Sequence, residues 1–112
     1  MAEVIKRLGT TTATSAATAP GYVVDNGNTA STYTVVSSII ICNTSSTAYT
    51  YNISTSTTSG THGAYIASGA TIAGNDTVIL VAGVCLDPTN RYLVAHSSNA
   101  AVNITAYGVT GP

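Results

Sequence analysis

The chain is poor in charge. Of 112 residues, three are Lys or Arg and four are Asp or Glu, so 6% are charged and the net charge is −1, against about 25% charged residues in an ordinary soluble domain. No basic field is available to hold phosphates and no acidic field to hold cations, so nucleic acid is not an expected partner. Trp and Phe are absent, which leaves aromatic packing to seven tyrosines. No run approaches the roughly 20 apolar residues of a membrane-spanning helix. The cations Lys6 and Arg7 are followed by no apolar stretch of secretory length, and the expectation is a chain made and used without crossing a membrane by itself. Its two cysteines should then start life reduced.

What is present is hydrophobic and hydroxylated. The 45% hydrophobic content is too high for a disordered chain, and a chain of this length predicts one domain able to bury about two thirds of its unfolded surface. Ser, Thr and Asn must cover the outside. Copies of such a chain repel one another little, so a place in an assembly would suit it better than a free monomeric state.

Helical periodicity is nearly missing, while Val, Ile, Thr and Tyr dominate short alternating runs punctuated by Gly, Asn, Asp and Pro. The class is all-β. Residues 1–8 read as a short strand or arm, and the low-complexity stretch "GTTTATSAATAP" (9–20) as an extended linker. Residues 1–20 are therefore expected to be an extended N-terminal arm and linker, and 21–112 the folded domain. Asn26-Gly27 signals a tight hairpin between "GYVV" and a strand from about Thr29. "VVSSIIICN" (35–43) becomes apolar on both faces, as a central strand does. "TVILVAGVCL" (77–86) is a second such run, expected to face the first across the core. Asp87-Pro88-Thr89-Asn90 fits a type I turn, and "RYLVAH" is expected to form a hairpin with "AAVNITAYG" through Ser97-Ser98-Asn99. Seven or eight short strands predict a single antiparallel β-sandwich, Ig-like or jelly-roll in topology.

Catalytic chemistry has few candidates. His62 lies in the loop "SGTHGA" and His96 ends a strand; H-x-H, H-E-x-x-H, C-x-x-C and G-x-S-x-G are all missing. Asp25, Asp76 and Asp87 sit in turns, where an Asp ordinarily bonds its own backbone. No catalytic, metal or cofactor-binding residue is assigned, and no cofactor is expected. Cys42 and Cys85 end the two most apolar runs and read as small thiols of the core. Four matches to the glycosylation sequon, at Asn43, Asn52, Asn75 and Asn103, carry no meaning without secretion. Tyr49, Tyr51 and Tyr65 are the candidate platform should the protein bind a glycan by ring stacking.

Four stretches, "VIKRLG" (4–9), "YTVVSSIIICN" (33–43), "IAGNDTVIL" (72–80) and "AGVCLDPTNRYLVAHSSNAAVNITAYG" (82–108), carry a likeness to known proteins. From Tyr33 to Val109 the chain resembles a family of small virion structural proteins of tailed bacteriophages. The resemblance implies a non-enzymatic component present in many copies, with homo-oligomers among the expected states, assembled in the bacterial host cytoplasm. Its implied partners are other virion proteins, either the major capsid protein or tail and neck components. A capsid decoration or cement protein is the leading expectation, with a tail, neck, baseplate or fibre-associated protein and a carbohydrate-binding adhesion module as alternatives. Val4, Ile5, Lys6, Arg7 and Leu8 of the arm are the expected assembly contacts. Ordering the twelve linker residues would cost roughly 12–24 kcal/mol of backbone entropy, so docking of the arm demands extensive pairing or apolar burial.

Overall fold

The computed structural model describes residues 6–12, 21–27, 32–58, 60–99 and 101–111. Eight strands account for most of them, and no helix occurs among the described residues: β1 (Lys6–Thr12), β2 (Gly21–Asp25), β3 (Tyr33–Asn43), β4 (Tyr49–Ser56), β5 (Ala64–Ile72), β6 (Thr77–Leu86), β7 (Tyr92–Ser97) and β8 (Val102–Gly111). They form two four-stranded antiparallel sheets, ordered β1-β8-β3-β6 and β2-β7-β4-β5.

The pairing has a simple logic. β1 pairs with β8, β2 with β7, β3 with β6 and β4 with β5, so the chain is one long ribbon folded back at the β4–β5 hairpin. The added ladders β3·β8 and β4·β7 close the ribbon into the two sheets. Every other pair of consecutive strands lies in different sheets.

β3 shows how the residues choose their faces. Its β-branched run suits a pleated surface, but the inward set is Thr34 and Val36 at first and Ile39, Ile41 and Asn43 afterwards. The phase changes because the ladders to both β6 and β8 shift register between Val36 and Ser38. Ser37 occupies the irregularity and its hydroxyl donates to the Tyr107 carbonyl at 3.2 Å. One buried cluster then draws on both sheets: Val36, Ile39, Ile41, Leu86, Val102, Ile104 and Ala106 from the first, Val23, Val24, Tyr51, Ile53, Ile72, Leu93 and Ala95 from the second. Each fully buried Ile or Leu contributes about 1.5–3 kcal/mol.

Four expectations are corrected. "TVILVAGVCL" does not face "VVSSIIICN" across the core; β6 lies beside β3 in the same sheet. Neither hairpin forms: β2 pairs with β7, and β8 with β1 and β3. Asn26 instead ends β2 with a crossing between sheets, its side chain accepting from Thr34 Oγ1 at 2.7 Å and donating to the Thr32 carbonyl at 3.2 Å. Gly27 follows at φ +84°, donating its N–H to Asp25 Oδ1. Lastly, the segment 1–20 is not wholly an arm outside the domain, since Lys6–Thr12 is an edge strand of the first sheet, from Lys6 opposite Gly108 to Thr12 opposite Asn103. The Thr-rich run suits a strand, and β8 offers it a ladder.

Candidate functional site

The loop between β4 and β5 folds back on the outer side of the second sheet. It comes close at Gly63, where an added Cβ would overlap the Thr55 carbonyl oxygen and lie 3.1 Å from Ser56 Cα. That approach seats His62 on β4. Its Nδ1 is 2.6 Å from Ser54 Oγ, which also accepts the Gly63 N–H at 3.3 Å. The imidazole lies against the Tyr65 ring, centroids 4.9 Å apart and planes tilted by 33°. Register sets Ser54 opposite Val94 and Asn52 opposite His96 on β7.

A Ser–His pair raises the question of nucleophilic catalysis. Ser54 is fully buried, and its oxygen is already engaged by Gly63 N–H, so the hydroxyl has no path to a substrate. His62 Nε2 is buried without a hydrogen-bond partner. Burial, and secondarily the nearby His96, hold the His62 pKa below the ordinary imidazole value, because a second ring proton would sit there unsolvated. Below pH about 6.5 the unfolded chain takes up a proton that folded His62 resists, so stability is full above that pH and falls as acid is added. Urea midpoints at pH 7.5 and 5.0 should differ, and His62→Gln should flatten most of that difference. Asp25 titrates in a separate window. Its carboxylate takes a two-pronged bond from Arg91, Nε to Oδ1 at 2.5 Å and Nη2 to Oδ2 at 2.9 Å, which lowers its pKa; that stabilisation is lost only as pH falls below about 4.

The other acids also serve turns. Asp76 Oδ1 accepts the Thr77 N–H at 2.9 Å, and Asp87 Oδ1 accepts those of Thr89 and Asn90 at 2.8 and 2.7 Å. Among the described residues no three His, Cys, Asp or Glu side chains are placed to hold a metal ion.

The proposed tyrosine platform does not assemble. Tyr51 is 4% exposed and belongs to the core, Tyr49 packs against that core, and Tyr65 at 53% is the exposed member. Tyr49 and Tyr51 are two residues apart on β4 and so share its inward face. The thiols are corrected in the opposite sense. Cys85 is exposed and Cys42 half-buried; neither belongs to the core. They lie on neighbouring strands, Cys42 opposite Thr77 and Cys85 opposite Val35. Those partners place the two sulfurs seven positions apart along β3, roughly 23 Å, too far to bridge within one chain. Of the expected arm contacts, Val4 and Ile5 lie outside the described residues. Lys6 and Arg7 pair with Gly108 and Tyr107, and Leu8 falls at the register shift between Arg7 and Gly9.

Sequence reasoning missed the outward face of β6. Ile79 is 60% and Val81 85% exposed, beside half-buried Ile40 and Ser38 of β3. The signal was present in the alternation itself, since an apolar run on an edge strand must turn every second residue outward.

Fold and surface together define a class: an all-β domain of two four-stranded antiparallel sheets, with apolar residues exposed along one edge. Comparison with protein-family models, with curated proteins and with solved structures finds no match.

Proposed function

We propose that the two sheets pack face to face as a jelly-roll β-sandwich, and that the chain is a non-enzymatic structural protein of a tailed-bacteriophage virion. The observation that carries this reading is the strand order. A ribbon of pairs β1·β8, β2·β7, β3·β6 and β4·β5 wrapped over two four-stranded sheets is the arrangement of the eight-stranded jelly roll, an architecture used by viral capsid and lectin domains. The architecture supports the structural class, and the resemblance of Tyr33–Val109 to phage virion proteins supports the setting. The sealed Ser54 hydroxyl speaks for a role without catalysis.

Within that class the chain decorates or cements the capsid shell in many copies, bound to the major capsid protein. Val4 and Ile5, next in sequence to edge strand β1, are with Lys6, Arg7 and Leu8 the proposed contacts to a neighbouring subunit. A tail or neck position is the alternative for the same scaffold.

Co-sedimentation with purified capsid shells tests the reading. Saturable binding to shells is expected, with at least a tenfold loss when residues 1–5 are deleted and no change in the Tm of the domain. Removing all of 1–20 would be a poor test, because it takes away β1. Binding to isolated tails in place of shells would move the protein to the tail, and binding to neither would overturn the virion role.

A further inference from the structure

We propose that β6 is a self-association edge, through which two copies of the chain pair antiparallel and join their first sheets into one eight-stranded sheet. This goes beyond the virion reading and does not rest on it. The first sheet ends at β6, which has β3 on one side, and no described segment pairs with its other side. That side presents unpaired backbone N–H and C=O groups, which natural proteins usually blunt with charge, Pro or a cover. Thr77–Leu86 contains no charged residue and no Pro. Its one irregularity is the register shift between Val81 and Val84 opposite Val36 and Ser38, which leaves Thr77–Val81 a regular five-residue edge.

A second copy fits this edge better than an unrelated strand. A two-fold axis through Leu80 sets Ile79 of each copy beside Val81 of the other, covering the two most exposed large hydrophobic side chains among the described residues. On the inner face it brings Leu80 against its equivalent, where Val78 and Leu80 are half-buried at the open margin of the core. No charge is placed opposite a like charge, and a net charge of −1 per chain opposes the encounter little. Because the two-fold pairing consumes the edge on both copies, the assembly closes at two instead of growing. Ile79, Leu80 and Val81 of each copy pair within this regular edge, a span of roughly 10 Å, a small interface of the kind that gives reversible dimers.

Sedimentation velocity on the full chain from about 5 to 200 µM, bracketing a micromolar Kd, should show a concentration-dependent shift from monomer to dimer. Val81→Lys should weaken dimerisation at least thirtyfold while the circular dichroism and Tm stay those of the wild type, since the side chain is exposed. Ile79→Lys, the other half of the same pair, should do the same. Ile66→Lys, on the exposed side of β5 in the other sheet, should leave dimerisation unchanged. A wild-type chain that stays monomeric throughout the range overturns the proposal. So does a dimer that survives both β6 substitutions, or one that Ile66→Lys dissociates.

Discussion

Asn43→Ala is expected to lower the unfolding free energy by about 3 kcal/mol, read as a fall of roughly 12 °C in Tm. Asn43 is the last residue of β3 and is 1% exposed. Its side-chain amide donates to the carbonyls of Thr47 at 2.8 Å and Ala73 at 3.2 Å, with that of Ile72 at 3.5 Å, and its Oδ1 accepts the Ser45 N–H at 3.0 Å. One side chain thereby ties the turn after β3 to the turn after β5, which are about thirty residues apart in sequence. Alanine removes all of these bonds together and leaves turn carbonyls and an amide facing a small void. Buried polar groups left without partners cost about 1–3 kcal/mol each when water cannot reach them, so the sum exceeds the loss of any one bond.

Asn43→Asp separates this network from simple packing. The substitution keeps the shape but exchanges the donor for an acceptor, setting a carboxylate against carbonyl oxygens. The charged form is disfavoured there, so the folded-state pKa rises above the ordinary value of about 3.9. The folded state then binds more protons than the unfolded state, and the variant loses stability relative to wild type as pH rises through that window. Denaturation at pH 4 and pH 8 should show a wider gap to wild type at the higher pH. A gap independent of pH would mean that the Asn43 amide does not face the carbonyls.

The same corner shows what was legible in the residues and what was not. The all-β class, the apolar strand through 35–43 and its central place, and the turn-binding acids follow from alternation and turn chemistry, which are local; the start of that strand, expected near Thr29, lies at Tyr33. Partition of strands between sheets is not local. Asn26-Gly27 and Ser97-Ser98-Asn99 are good turn formers, but a tight corner has the same composition whether the next strand returns to its neighbour or crosses to the other sheet. Asn43 looked like the end of an apolar run or a sequon, and its role appears only when two distant turns meet on it. The shift at Ser37 had a larger consequence, because it moved Ile40 and Cys42 to the outer face while Ile39 and Ile41 stayed within. A strict period of two across Ser37 cannot express that. The pairing of Ser54 with His62 likewise needed the close approach at Gly63, and "SGTHGA" reads equally well as any polar loop.

Gly74→Ala should be nearly as damaging as the loss of Asn43, about 3 kcal/mol, through sterics alone. A Cβ at Gly74 would overlap the carbonyl group of Ser46 and lie 2.9 Å from Ser46 Cα. These are backbone atoms, so no rotamer change can relieve the contact, and one of the two turns must move. Moving either turn strains the bonds that lock them: Asn75 N–H to the Ser45 carbonyl at 2.7 Å and Asn43 N–H to the Asp76 carbonyl at 2.9 Å. Asn75 adds a second constraint at φ +55°, a left-handed conformation that Asn tolerates better than most residues. Gly69, within β5, makes the control: it lies at φ +62° in open space, so Gly69→Ala meets a conformational penalty of about 1 kcal/mol without a clash. Chemical denaturation of both variants should rank Gly74→Ala well below Gly69→Ala. In the double variant Asn43→Ala/Gly74→Ala the two losses should sum to less than their separate values, because each has already loosened the turns that the other strains. Strict additivity would show that the two residues act on separate parts of the fold.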